Sequence, residues 1–165
     1  MTNQQTLNPE DPNSLPIVTL ERVIDAMATF DVTLDKIEGR DDSATANLNG
    51  LPCLFAVLDS VLIVRCDVQT DAQFSQADAG LFLAANQINS VQMGARAAIT
   101  DFDDSLVVRT ERDIPVAAGM NDTQLAAALK AAVDGVIGAQ NAMVAAAEEM
   151  AKLGSEAANQ AQNGE

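Results

Sequence analysis

The stretch Leu51–Asp67, LPCLFAVLDSVLIVRCD, constrains this chain more than any other. Before Arg65 its only charge is Asp59, in an Asp59-Ser60 pair that interrupts the apolar run. Folded back at that pair as a tight hairpin, it sets Leu58 beside Val61, Val57 beside Leu62 and Cys53 beside Cys66. Cys53, Phe55, Val57, Leu62, Val64 and Cys66 then share one face. Leu54, Ala56, Leu58, Val61 and Ile63, with Arg65 at the margin, share the other. A sheet with one wet face alternates apolar and polar residues, whereas this ribbon is apolar on both sides. Both faces are therefore expected to be covered, by helices or by a second subunit.

Asn49-Gly50 is a second hairpin signal, because a type I′ turn needs two positive φ angles. It places Ala46 beside Cys53 and Ala44 beside Phe55, so the apolar side of Ser43–Leu48 extends the face that carries both cysteines. With Val32–Glu38 as a first strand, the chain forms a meander up to Asp67. Ahead of it, Leu20, Val23, Ile24, Met27 and Phe30 recur at helical spacing behind an N-cap at Thr19. Gln69–Ser75 reads as a turn.

A second helix follows from Asp78, or slightly earlier, to Val91. Leu81, Ala84, Ala85, Ile88 and Val91 form its buried stripe, and Phe82 and Leu83 widen that stripe toward burial on more than one side. Ala95–Thr100 and Ser105–Thr110 are strands around the turn Asp101–Asp104, a register that sets Arg96 against Arg109. Ile114–Gly119 is an extended link. Asn121 and Gln124 then form a capping box for a last helix reaching Leu153. The architecture expected is α+β: a five- or six-stranded antiparallel sheet with three helices. One domain, residues 17–153, lies between a flexible N-terminal segment, 1–16, and a disordered C-terminal tail, 154–165.

Composition limits the function. Nine basic residues stand against twenty-four acidic ones, a net charge of −15. Without a run of Lys or Arg, neither nucleic acid nor anionic membrane is an expected partner. Histidine is absent, which removes the commonest general base and metal ligand. Two cysteines thirteen apart do not make a zinc site, and as Cys53 and Cys66 they read as buried structural thiols. Asp101, Asp103 and Asp104 lack the Gly and terminal Glu of a calcium loop, and Asp41-Asp42 reads as a solvated turn too. No catalytic residue, cofactor or metal is expected. With neither a membrane span nor a leader pattern, the expected location is the cytoplasm.

Two groups of residues remain as an interaction surface. Leu54, Leu58 and Ile63 lie on the second face of the central hairpin. Gly135, Gly138 and Ala142, with Ala131 and Ala145, line the last helix with small residues that allow close helix approach, within the subunit or across a dimer. Asn86 and Asn89, one helical turn apart, offer amides to a neighbouring backbone or a partner.

The segments LERVIDAM, LFLAANQIN with its N-x-x-N at Asn86 and Asn89, and IPVAAGMNDTQL leading into the last helix resemble the YbjN-domain family. The likeness runs from Leu20 to Met150. It implies a small bacterial cytoplasmic protein of the kind described as a "putative sensory transduction regulator", with a fold like that of type III secretion chaperones, which are often dimeric. It brings no catalytic residues. The function expected is a non-enzymatic protein-binding or regulatory module, a homodimer whose acidic surroundings favour a basic partner. The alternative is a small-ligand-binding protein or an enzyme working with carboxylates alone, marked by a closed pocket holding two or more acids of raised pKa.

Overall fold

The computed structural model describes residues 14–76 and 79–162. The order is α1 (Leu20–Ala28), β1 (Asp35–Lys36), β2 (Ser43–Leu48), β3 (Leu51–Leu58), β4 (Val61–Gln73), a 3-10 turn (Phe74–Gln76), α2 (Gly80–Val91), β5 (Arg96–Phe102), β6 (Ser105–Pro115) and α3 (Asp122–Gln162). The six strands form one antiparallel sheet in the order β1-β2-β3-β4-β6-β5. The fold is therefore α+β, with three helices against a six-stranded sheet.

The local turns set the first half. Asn49 (φ 54) and Gly50 (φ 86) both take the left-handed region that the β2–β3 turn requires. Ala46 pairs with Cys53 and Ala44 with Phe55. Around Asp59-Ser60, Leu58 pairs with Val61 and Cys53 with Cys66. The face bearing Cys53, Phe55, Leu62, Val64 and Cys66 is buried. Leu129, Val136 and Met143 of α3 belong to the same core. Helix α3 lies over β4 and β6, with α1 and α2 beside it.

Two buried polar side chains fix α3 on the sheet. Gln140 Nε2 donates to the carbonyls of Cys66 (3.1 Å) and Val108 (2.9 Å), and Thr110 Oγ1 donates to Val136 O (3.0 Å). Asn121 and Gln124 close the expected capping box, each side chain bonding the other's backbone N–H at 2.8 and 3.0 Å.

Several expectations are corrected. Among the described residues the helices lie on the cysteine side only, so no helix lies above the face carrying Leu54, Leu58 and Ile63. The first strand shrinks to Asp35–Lys36. The segment read as the turn Gln69–Ser75 continues β4 to Gln73, because β6 supplies a distant partner, with a register break between Gln69 and Gln73. Likewise β6 extends through Pro115 into the supposed link.

The β5–β6 turn is tighter than expected. Asp103 (φ 51) and Asp104 (φ 63) make it, so Phe102 pairs with Ser105, and Arg96 faces Glu111 rather than Arg109. A slip of two residues preserves facing, and Ala95, Ala97, Leu106 and Val108 are buried on one face. On α2, Phe82, Leu83 and Val91 are exposed, because only one side of the helix meets β5 and α3.

The chain ends also differ. Helix α3 runs to Gln162 instead of stopping near Leu153, since the alanine-rich continuation propagates an established helix at little cost. At the other end, residues 1–13 of the expected flexible segment lie outside the described residues, but Leu15 and Pro16 are tied down. Gly119 (φ +76) lies under them so closely that a Cβ would come within 2.5 Å of Leu15 O. The Arg22 guanidinium donates to Pro16 O, Ile17 O, Met120 O and Asp122 Oδ1 at 2.7–3.0 Å, joining this strap to the start of α3.

Candidate interaction surface

The open face of the sheet divides into an apolar and an ionic half. On β3 and β4, Ala56 is buried by its neighbours, Leu54, Val61 and Ile63 are half-buried, and Leu58 stays 45 % exposed. Next to them a concavity of ≈ 440 Å³ is lined by Thr45, Asn47, Pro52, Leu54, Arg65 and Asp67.

The ionic half crosses β4, β6 and β5. Glu111, buried on β6, accepts hydrogen bonds from Arg65 on β4 and Arg96 on β5, its register partners on either side. Arg96 also reaches Asp113 at 3.1 Å. One rung along, Arg109 grips both carboxylate oxygens of Asp67 at 2.8 Å. Burial pushes the Glu111 carboxyl up, but the hydrogen bonds and charges of Arg96 and Arg65 outweigh it and hold the group below its ordinary range. A carboxylate held low is the reverse of the raised acid that the enzyme alternative needs. Among the described residues no three metal-ligating side chains come together.

The two groups expected to form one surface are separated by the thickness of the molecule. Leu54, Leu58 and Ile63 share the open face, while Gly135, Gly138 and Ala142 belong to α3 on the opposite side. Within the helix the small residues diverge too. Gly135 abuts the α2–β5 link, where a Cβ would lie 2.5 Å from Gly94 O, while Gly138 has nothing within 4 Å. Close approach at Gly135 is thus an internal contact. Ala142 is half-buried, and Ala131 and Ala145 are exposed.

The two asparagines also separate. Asn89 acts on the free edge of the sheet: its Nδ2 donates to Ala97 O (2.8 Å) and its Oδ1 accepts from Ala97 N (2.7 Å), as a neighbouring strand would. Asn86 is exposed and contributes its backbone carbonyl to Ser90 Oγ. Cys53 and Cys66 are free, buried thiols facing each other, and their mutual hydrogen bond together with burial pushes Cys66 up.

Reasoning from the sequence missed the ionic network and Gln140. Both left a signal. Arg65 and Asp67 on one strand, and Arg109, Glu111 and Asp113 on the other, recur every second residue, the period of a single sheet face. Gln140 interrupts an otherwise apolar stripe between Val136 and Met143.

The chain is similar in fold to the crystal structure of YbjN, a "putative transcription regulator" from E. coli. The TM-score is 0.63 and the identity 15%, covering 82% of this chain and 97% of that one. A chain of the heterodimeric complex ExoU-SpcU from the type III secretion system of Pseudomonas aeruginosa matches at a TM-score of 0.47 and 17% identity, covering 73% and 93%. No curated protein matches the sequence. The model of the YbjN family, described as "Putative bacterial sensory transduction regulator", matches residues 19–143, and the chain belongs to that family.

Proposed function

We propose that this protein is a non-enzymatic regulatory module that acts by binding other proteins, and that it does so as a homodimer joined through the open face of its sheet. The supporting observation is electrostatic. Two copies of a chain of charge −15 repel each other over most of their surface. The open face is the exception: its network sets Arg65, Arg96 and Arg109 against Asp67, Glu111 and Asp113, three charges of each sign. Apolar Leu54, Leu58 and Ile63 lie beside that neutral field. A two-fold axis through such a face sets like patch on like patch with little net repulsion, which suits an isologous dimer.

Membership in the YbjN family, with its description as a sensory transduction regulator, supports the regulatory reading. The remaining acidic surface favours a basic protein partner over nucleic acid or membrane, in the cytoplasm. Among the described residues no helix is long and apolar enough to cross a membrane.

Sedimentation equilibrium tests the proposal. The wild type is expected at twice its 17.3 kDa chain mass. Ile63→Asp, with unchanged circular dichroism, is expected at the chain mass. A wild type that stays monomeric at all concentrations, or an Ile63→Asp variant that stays dimeric, contradicts the proposed interface.

A further inference from the structure

The two edges of the sheet are finished differently. At one, β1 is two residues long and carries Lys36. A short, charged strand offers little for another chain to pair with. At the other, β5 runs for seven residues, Arg96–Phe102, in unbroken register with β6 and without Pro or Lys. The Asp103-Asp104 turn makes Phe102 and Ser105 the closing hydrogen-bonded pair, so Phe102, Thr100 and Ala98 turn their backbone groups toward β6. Asp101, Ile99 and Ala97 turn theirs outward. At Ala97 the Asn89 side chain stands where a next strand would, bonding both the N–H and the C=O, which fixes the same alternation independently. No such clamp reaches Ile99 or Asp101, whose N–H and C=O have no partner among the described residues.

The charge at this unclamped stretch favours a cation. Asp101 lies on it, Asp103 and Asp104 form the turn that follows, and all three are exposed. The guanidiniums of β5 and β6 are engaged elsewhere. Arg109, across from Ala98, grips Asp67, and Arg96 holds Glu111 and Asp113. Arg112, beyond Thr110 at the far end of the hairpin, donates to the carbonyls of Met93 and Gly94. A second copy joined edge to edge through Ile99–Asp101 brings the three carboxylates toward their own counterparts, where like charges repel. A strand with Lys or Arg opposite Asp101 gains a cross-strand ion pair instead.

We infer that the free edge at Ile99–Asp101 receives an extended segment of another protein, which pairs with β5 as one more strand and sets a Lys or Arg side chain opposite Asp101. Hydrogen bonds to the outward groups of Ile99 and Asp101 hold the backbone of that segment, and its alternate side chains select it. Asn89 closes the site at Ala97, so the paired stretch is short and lies toward the Asp103-Asp104 turn. The inference rests on the reading of the chain as a protein-binding module, but uses the edge of the sheet and not the Leu54–Leu58–Ile63 half proposed for the dimer.

Amide hydrogen exchange of the full chain, followed by NMR with and without a soluble peptide of alternating Val and Lys, tests this. In the free chain the Ile99 and Asp101 amides are expected to exchange at least about tenfold faster than those of Ala98 and Thr100. Saturating peptide is expected to slow Ile99 and Asp101 by about tenfold or more. The same peptide with its amides N-methylated is expected to bind at least about tenfold more weakly, because it keeps the side chains and loses the donors. Asp101→Asn removes the charge alone and is expected to weaken binding about threefold. Asp101→Pro also removes an outward N–H without touching the ladder to β6, and is expected to weaken binding at least about tenfold with an unchanged circular dichroism spectrum. Ile63→Asp is expected to bind like the wild type, so failure of the dimer proposal reads separately from failure of this one. Equal affinity for the two peptides, equal affinity of Asp101→Pro and Asp101→Asn, or no saturable binding overturns the inference. Protection of Ile99 and Asp101 that grows with the concentration of the chain alone overturns it in favour of a second copy as the occupant.

Discussion

Glu111 carries much of the ionic chemistry of the open face. It is buried, yet it remains ionised because Arg65 and Arg96 approach from the two flanking strands. Its folded carboxyl titrates below the unfolded one. Its stabilisation is therefore complete above the ordinary value of 4.5 and disappears as pH falls through the lower folded value. Glu111→Gln is expected to cost about 2 kcal/mol at neutral pH in urea titrations, since Arg96 keeps access to water and Asp113. The variant should also lose less stability than the wild type on acidification below pH 4.5.

The thiols give a second check at this scale. Cys53 and Cys66 are expected to resist a thiol reagent in the native protein and react together in urea, and rapid native reaction contradicts their burial. Their mutual pairing was legible in the sequence, because the Asp59-Ser60 turn alone fixes it. The pairing of Glu111 with Arg65 was not, because α2 and β5 intervene between the two strands and no local signal spans that distance.

Among the elements, α3 carries the sharpest contrast, between two glycines three residues apart. At Gly138 the space is open, so Gly138→Ala is expected to stabilise by ~1 kcal/mol through helix propensity alone. At Gly135 a Cβ meets the backbone of Gly94, which cannot swing aside as a side chain would. There the same change is expected to destabilise by ~1–3 kcal/mol despite the better propensity. Thermal melts of the two variants should move in opposite directions, and parallel shifts contradict the contact.

The composition of α3 announced small residues but not which of them met a neighbour. The β5–β6 hairpin shows a related limit. Its four-residue polar stretch hid the fact that only Asp103 and Asp104 turn, while Asp101 and Phe102 remain strand. The inward residues were still legible, because a slip of two keeps every side chain on its face.

For the whole molecule, the doubly apolar hairpin left two covers open for its second face, helices or a second subunit, and the helices lie on the other side. Periodicity reports that a surface is apolar, whereas the choice between a helix, a neighbour and water is made by connections that all return to one side of the sheet. Among the described residues, Leu54, Leu58 and Ile63 thus sit under no helix, next to a field of balanced charge on an acidic body. The N-terminal strap is a further feature of the whole. Arg22→Ala removes the four hydrogen bonds by which this side chain holds Pro16 and Ile17 beside Met120 and Asp122, and is expected to make the bond after Pro16 more sensitive to limited proteolysis. An unchanged cleavage rate there contradicts the anchoring.

The claim that this open face meets a second copy is tested most directly by an isotope-filtered NOE spectrum of an equal mixture of labelled and unlabelled chain. Intermolecular cross-peaks are expected at the methyl groups of Leu54, Leu58 and Ile63. Their absence, or cross-peaks confined to Ala142 and its neighbours on α3, contradicts it.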